Sequence, residues 1–411
     1  MSDERPGWLS RRRFLQVAGG GAGLAALSPM LGAVRAAAAT SRLKLGVLVP
    51  SGGDYPAMGP NLLEGLRLGL DQAGLGSSTS ISAADVPLGF DGASTAAQSL
   101  LARGMDAVVA GVTTPVATRL AGLFSEAGVP LIAANAGGHV VRRSDRSPAV
   151  LHLSLGYWKA SFAMGRWAGA NLGTRGLVAT SLADSGYDAV YAFRRGLESA
   201  GGSVRDDVVT HVEPGDGVAG LGAAVSNSGA QHVHALYGAR RAIQALRVLR
   251  SAGVPVLAGP FAVDESLLRK LGSAVIGVRS AFSWSPALAT PANREFKRAY
   301  RSRAGRNPDA FAVLGYDAAS LLAAGLRRAG SASGMLGALD GATVASPRGP
   351  LKVSSGTVHT RLYLRQVRSV NGKLVNAVIG RLDRVPDLPN AMRPLVASAP
   401  SGYVNEVLCP A

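Results

Sequence analysis

Cysteine is almost absent from this chain: Cys409 is the single one among 411 residues. One thiol cannot form an internal disulfide, and no Cys/His cluster is present, so a disulfide-stapled small domain and a thiolate metal site are both excluded. A G-x-S-x-G nucleophile elbow is also missing, which argues against an exported α/β hydrolase. We therefore expect neither a cofactor nor a catalytic activity.

Charged residues are scarce at 17%, and the acidic ones are outnumbered, with 26 Asp and Glu against 43 Lys and Arg. Residues 1–39 hold five arginines and two acidic residues, so the remainder keeps a charge of about +14. The densest basic run, between Arg294 and Arg306, shares a helical pattern with Phe296 and Tyr300. This pattern favours a solvated helix face, and we expect no nucleic-acid partner.

The first 39 residues resemble a targeting segment. Residues 10–16 read SRRRFLQ, a twin-arginine pattern, and no charge interrupts the stretch from Phe14 to Val34. Small residues at 36–39 suit cleavage, so we predict a twin-arginine signal peptide over residues 1–39 and the twin-arginine translocase as a partner. A retained membrane anchor stays open, because 21 uncharged residues could span a bilayer.

After residue 40, short apolar runs such as 43–49 and 107–110 alternate with helical patterns such as 61–73 and 116–127. Alternation of this kind predicts parallel sheets covered by helices, and its length predicts two such domains. A β-rich tail follows, with strands predicted at residues 351–353, 359–367 and 374–379. Asn371-Gly372 predicts a hairpin before the last of these strands, and the prolines after residue 385 predict a coil extension over residues 386–411.

Several characteristic segments follow one another in the chain: LGVLVP at 45–50, GVTT at 111–114, GVPLIAANA at 128–136, SGY at 185–187 and GYDA at 315–318. In this order they resemble the leucine/isoleucine/valine-binding family of periplasmic binding proteins. The resemblance covers about residues 43–380 and implies a non-catalytic receptor that delivers a small organic solute to an ABC permease in the inner membrane. A ligand-sensing receptor on the same fold, signalling to a partner, is the alternative.

The resemblance implies an α/β fold with two doubly wound parallel-sheet lobes joined by three hinge crossings. These crossings are expected near residues 154–158, 282–286 and 345–352. Lobe one would comprise residues 43–155 plus 286–347, and lobe two residues 156–284 plus 350–382. The solute would bind between the lobes, which close over it by hinge bending.

Ligands of open parallel sheets bind beyond the carboxyl ends of the strands. Thr113 and Thr114 follow one predicted strand and begin a helix, where hydroxyls and amides can hold an anion, although simple helix capping remains open. The turns that the resemblance assigns to the ligand supply the other first-lobe candidates: Tyr55, Met58, Asn135, Ala136 and Gly137.

Lobe two would contribute Tyr187, Arg240 and Phe261, where Arg240 is either a surface residue or the partner of an anionic ligand group. Relatives that bind amino acids carry an acidic residue near Phe261 to pair with the substrate ammonium, although Asp264 and Glu265 follow closely here. An unpaired buried charge is costly, so Phe261 in the cleft favours an aromatic or aliphatic carboxylate, or an amide, over a zwitterionic amino acid.

Overall fold

A computed structural model describes residues 42–51, 55–86, 90–186, 188–213 and 215–382. The predicted signal peptide at 1–39, the extension at 386–411 and the candidate Tyr187 lie outside the described residues. Their predictions stay predictions.

Strands and helices alternate through most of the described chain, as the apolar runs predict. The strands are β1 Leu43–Pro50, β2 Thr79–Val86, β3 Ala107–Ala110, β4 Leu131–Asn135, β5 Val150–Ser154, β6 Arg175–Ser181, β7 Ser203–Thr210, β8 His232–Leu236, β9 Val256–Ala258, β10 Arg279–Phe282, β11 Thr343–Val344, β12 Leu351–Ser354, β13 Thr357–His359, β14 Tyr363–Val370 and β15 Lys373–Arg381. The helices are α1 Met58–Gln72, α2 Phe90–Ala102, α3 Thr114–Ala127, α4 Tyr157–Asn171, α5 Ala189–Glu198, α6 Leu221–Asn227, α7 Ala239–Leu249, α8 Glu265–Leu271, α9 Pro291–Ala304, α10 Ala310–Ala329 and α11 Met335–Ala338.

The strands form two sheets, and each sheet is the centre of one α/β lobe. The first has the order β11-β12-β13-β5-β4-β3-β1-β2, and the second has the order β15-β14-β10-β9-β8-β6-β7. Strands β1 to β5 are parallel to their neighbours in the first sheet, and β6 to β10 are parallel in the second. Antiparallel pairs occur at one edge of each sheet, so the predicted two-lobed fold is confirmed with mixed sheets dominated by parallel strands.

Three crossings join the lobes, and the third lies later than the sequence predicts. The chain leaves the first sheet after Ser154, returns between Phe282 and α9, and crosses again at residues 360–362, between β13 and β14. The predicted third crossing at 345–352 is wrong, because β12 and β13 pair within the first sheet. The strand predicted at 359–367 runs through this crossing. The structure divides it into the end of β13 and most of β14, because residues 360–362 belong to neither sheet.

The hairpin predicted at Asn371-Gly372 is confirmed. Strands β14 and β15 are antiparallel on either side of it. Asn371 and Gly372 both have positive φ angles, 50° and 74°, which a tight two-residue hairpin turn requires.

Each lobe contains one pair of helices in very close contact, made possible by glycines. In lobe one, a Cβ atom added to Gly65 of α1 would lie 1.9 Å from the carbonyl oxygen of Ala312, and one added to Gly315 of α10 would lie 1.9 Å from that of Leu62. Gly165 of α4 and Gly196 of α5 form the equivalent contact in lobe two. Helix α10 is 20 residues long and apolar because most of it is buried in this packing.

A buried arginine connects the three crossings. Arg348 pairs with Asp317 of α10 at 2.6 Å, and both side chains are fully buried. Its guanidinium also donates to the Ser154 carbonyl at 2.9 Å and to the Ser283 hydroxyl at 3.0 Å, while its carbonyl accepts from the Tyr363 hydroxyl. Ser154 and Ser283 flank the first two crossings and Tyr363 follows the third, so Arg348 contacts residues beside all three crossings.

His232 and His234 lie on β8 as buried strand residues. The ring of His234 stacks on Phe193 at a centroid distance of 4.2 Å. Burial lowers the pKa of His234 to about 3, with a smaller contribution from His232. The folded protein therefore holds this imidazole neutral where the unfolded chain would charge it.

In the His234→Leu variant, the free energy of unfolding is expected to fall less with decreasing pH than it does in the wild type. Because the folded-state pKa of His234 is lowered, its contribution is present above the unfolded value of about 6.5 and is lost as pH falls. From pH 7.5 to pH 5, the wild type should lose about 2 kcal/mol more of its free energy of unfolding than the variant does. Urea unfolding at both pH values measures it, and identical pH slopes would contradict the assignment.

Candidate functional site

A cavity of about 410 Å³ lies between the two lobes. This volume falls within the range of ~300–1,000 Å³ that is common for small-molecule sites. Its walls are the segments that follow β1, β3 and β4 in lobe one and β6, β8 and β9 in lobe two. The cavity thus occupies the carboxyl ends of both parallel sheets, which is where open α/β sheets bind ligands.

The amino-terminal end of α3 forms the first-lobe floor of this cavity. Thr113 precedes the helix with extended backbone angles, and its hydroxyl makes no capping hydrogen bond. Thr114 and Pro115 begin the helix, and both threonines line the cavity. Because the Thr113 hydroxyl does not cap the helix, it can donate to an anionic group in the cavity, together with the free backbone N–H groups at the amino terminus of α3.

Asn135 supports the neighbouring loop. Its side-chain amide donates to the Val112 carbonyl at 3.1 Å and accepts from the Gly137 amide at 2.9 Å. Gly137 has a φ of 74°, and a Cβ atom there would lie 2.7 Å from the Gly156 amide nitrogen. Asn135, Ala136 and Gly137 all line the cavity, and the described contacts of Asn135 tie the turns after β3 and β4 together.

Tyr55 connects the lobes directly. Its hydroxyl donates to the Phe261 carbonyl at 3.0 Å and accepts from the Ala239 amide at 2.9 Å. Tyr55 belongs to lobe one, whereas Ala239 and Phe261 belong to lobe two, so the structure represents a closed cleft. Ala239 has a φ of 46°, which is strained for a residue with a side chain and places strain at the closure contact.

Aromatic side chains from both lobes make the apolar wall. Phe261 is the centre of this group: its ring stacks on Phe311 at 5.8 Å and meets Tyr157 edge-on at 5.4 Å and Tyr55 at 5.9 Å. Phe311 belongs to α10 of lobe one, so Phe261 packs across the cleft. Met58 adds a flexible apolar surface to the same cavity.

The charged residues of the wall neutralise one another. Asp184 accepts from Arg241 through two contacts, at 2.8 and 3.2 Å, and from the Ser181 hydroxyl at 2.6 Å. Among the described lining residues, Asp184 is the sole carboxylate. Burial also lowers the pKa of His139 to about 4, so its imidazole is neutral at pH 7. Among the described lining residues, no carboxylate is left without a basic partner.

Most of the sequence-predicted residues meet at this cavity. The lining includes Tyr55, Met58, Thr113, Thr114, Asn135, Ala136, Gly137 and Phe261. Arg240 is different: it is exposed on α7 and does not line the cavity, whereas its neighbour Arg241 does. Helix α7 begins at Ala239, and consecutive residues of a helix differ in direction by about 100°, so the two arginines lie on different faces.

Sequence reasoning missed Asp184, Arg241, His139 and Phe311 as lining residues. Asp184 and Arg241 follow β6 and β8 within the turns that a parallel sheet presents at its carboxyl edge, so their positions carried a usable signal. Phe311 had none, because it reaches the cleft from the first turn of a core helix. Asp264 accepts from the Ser266 amide as the cap of α8 and does not belong to the cavity lining.

The Tyr55→Phe variant is expected to bind the solute about 10- to 100-fold more weakly, a loss of roughly 1.4–2.8 kcal/mol. The ring remains, but closing the cleft would leave the Ala239 amide and the Phe261 carbonyl without the hydroxyl. Isothermal titration calorimetry measures the loss. Tyr316→Phe is the matched control, because that hydroxyl bonds Gln72 within lobe one, and a similar loss there would contradict the bridging role.

Comparison with known proteins agrees with this geometry. A family model described as "Periplasmic binding protein" matches residues 42–373. A search of curated protein sequences finds no match.

Solved structures share the fold along their whole length. An ABC transporter substrate-binding protein from Sphaerobacter thermophilus is 25% identical with a TM-score of 0.76, over 84% of this chain and 98% of that one. A solute-binding protein from Rhodopseudomonas palustris, in complex with benzoate, is 25% identical with a TM-score of 0.71, over 85% and 98% of the two chains. A branched-chain amino acid transporter protein from the same organism is 14% identical with a TM-score of 0.69, over 84% and 99%, and shows the fold alone.

Proposed function

The chain belongs to the periplasmic binding protein family, as a solute-binding protein of an ABC transporter, and from this premise we propose that its solute is a small aromatic carboxylate. The family is one of binding proteins rather than enzymes, and it implies a periplasmic location. We further propose export by the twin-arginine route, on the SRRRFLQ pattern at residues 10–16, and delivery to an inner-membrane permease.

One observation carries the proposed solute class: the sole carboxylate among the described lining residues, Asp184, is paired with Arg241. The ammonium of a zwitterionic amino acid would find no unpaired carboxylate among the described lining residues. Leaving one buried charge unpaired costs about 3–5 kcal/mol. Amino acids are therefore disfavoured, and Phe261 occupies the region where an acidic partner would be needed.

The two kinds of surface in the cavity fit the two parts of an aromatic acid. The amide end of α3, with Thr113 and Thr114, supplies hydrogen-bond donors for a carboxylate. Phe261, Tyr157 and Phe311 supply aromatic surface for a ring. The benzoate complex of a relative with 25% identity supports this choice.

Binding would proceed by closure. A solute seated on lobe one meets Phe261 and the Tyr55 contacts only when lobe two closes, and a ligand shifts this equilibrium only through its stronger binding to the closed form. In the closed state the aromatic rings exclude water, which strengthens the hydrogen bonds to the carboxylate. No covalent bond changes in this cycle.

Calorimetric titration of the purified protein with benzoate, benzamide and leucine tests the proposal. We expect saturable one-to-one binding of benzoate, weaker binding of benzamide and none of leucine. Thr113→Val should weaken benzoate binding by about 10-fold or more, because a hydrogen bond to a charged group is lost. Thr118→Val is the control on the same helix, since that hydroxyl bonds the Thr114 carbonyl outside the cavity. Binding of leucine in place of benzoate would overturn the proposal.

A further inference from the structure

A second cavity, of about 210 Å³, lies beside the first on the side of the hinge. We call it the hinge-side cavity. It is formed by the end of β5, the start of α4 and the hairpin of β12 and β13, with Arg146 at its rim. Thr114, Asn135 and His139 line both cavities, so they form the wall between them.

The lining of the hinge-side cavity is cationic. Lys159 and Arg146 both line it, and none of the described lining residues is acidic. Two carboxylates lie beside the lining: Asp340 accepts from the Ser355 amide at 2.7 Å, and Asp145 accepts from the Arg142 backbone amide at 2.9 Å and from its guanidinium at 3.1 Å. The described lining therefore contains two basic residues and no acidic one, whereas in the first cavity Asp184 pairs with Arg241.

Hydrogen-bond donors accompany the charge. The Lys159 ammonium lies 3.4 Å from Nδ1 of His359, and Nε2 of the same ring lies 3.0 Å from the Ser354 hydroxyl. An ammonium can only donate, so Nδ1 of His359 is the acceptor in this contact. The Thr357 hydroxyl is buried in this lining and has no hydrogen-bond partner among the described residues.

His152 adds no positive charge to this cavity at neutral pH. His152 is 2% exposed, and burial lowers its pKa to about 4 against a smaller raising effect of Asp145. Lys159 and Arg146 are the basic residues of the described lining, and its other polar side chains carry hydroxyl, amide or imidazole groups. A small volume with two cations and a buried hydroxyl suits an oxyanion and excludes a cation.

We propose that the hinge-side cavity binds a small oxyanion group, through Lys159, Arg146 and Thr357. The group is either a free inorganic anion or a second carboxylate carried by the organic solute, since the two cavities share a wall. Lys159 belongs to lobe two, whereas Arg146 and Thr357 belong to lobe one. An anion held by both lobes stabilises the closed form. It therefore raises the affinity of the first cavity for the solute, and the bound solute raises the affinity of the hinge-side cavity for the anion by the same factor.

The first arm of the test uses inorganic phosphate alone, at constant ionic strength, and does not depend on the proposed function. Thermal unfolding of the purified protein should show saturable stabilisation by phosphate. Lys159→Met should weaken the apparent affinity at least 10-fold, and Thr357→Val should weaken it several-fold while Thr357→Ser retains it. Lys352→Met is the matched control, because this exposed lysine of β12 lies outside the lining.

The second arm, which rests on the proposed function, compares benzoate with a benzenedicarboxylate by calorimetry. If the oxyanion belongs to the solute, the dicarboxylate binds at least 10-fold more tightly than benzoate, and Lys159→Met removes this preference. If the anion is free, phosphate instead tightens benzoate binding, and the same variant removes that effect. Neither effect in the wild type, or equal losses in Lys159→Met and Lys352→Met, would overturn the proposal even where benzoate binds.

Discussion

Replacing Asp317 with leucine is expected to lower the free energy of unfolding by about 3–5 kcal/mol. The substitution leaves the Arg348 guanidinium fully buried without its carboxylate, and that guanidinium also holds Ser154 and Ser283 at the first two crossings. The loss should therefore extend to the hinge and weaken solute binding as well. Urea unfolding monitored by circular dichroism measures the stability change.

Two further variants separate the buried charge from the lost contact. The double variant Asp317→Leu/Arg348→Met carries no unpaired cation, so we expect it to be more stable than the single variant. Glu295→Ala breaks an exposed pair with Arg298 on α9 and should cost no more than about 1 kcal/mol. An Asp317→Leu protein as stable as Glu295→Ala would show that the buried pair does not hold the hinge together.

The second large effect is expected from Gly315→Ala in α10. The new Cβ atom would lie 1.9 Å from the Leu62 carbonyl oxygen and 2.9 Å from the Leu66 amide nitrogen. Both neighbours are backbone atoms of α1, so no rotamer change can relieve the contact and the helices must separate. Overpacking of this kind costs about 1–3 kcal/mol, and we expect the upper end or more.

Gly122→Ala in α3 is the control with the opposite expected sign. A Cβ atom at Gly122 meets nothing within 4 Å, and alanine is favoured over glycine inside a helix by roughly 0.5–1 kcal/mol. Thermal unfolding of the two variants should therefore move in opposite directions. If Gly315→Ala is as stable as the wild type, the close approach of α1 and α10 is not required by the fold.

The sequence predicts the two-lobed fold because its strands are short apolar runs bounded by helical patterns, and such alternation has few solutions. It does not predict where the chain last crosses. The residues at 360–362 lie between two β patterns, and only the pairing of β13 with β5 places the break there. Pairing between residues about 200 positions apart leaves no local mark in the chain.

The candidate site follows the same rule. Thr113, Asn135 and Phe261 could be found because they lie at or within three residues of the carboxyl ends of parallel strands, which line the cavity. The difference between Arg240 and Arg241 could not, since one residue along a helix changes direction by about 100° and depends on where the helix begins. The partner of the Tyr55 hydroxyl was also unpredictable, because it is backbone from the other lobe.

Small-angle X-ray scattering of the purified protein, with and without saturating benzoate, measures whether the solute closes the two lobes. If an aromatic carboxylate is held between the lobes by closure, benzoate should reduce the radius of gyration and leucine should not. The Tyr55→Phe variant should need more benzoate to reach the same compact state. Benzoate bound at saturation with no change in the radius of gyration, or compaction by leucine instead, would contradict the account.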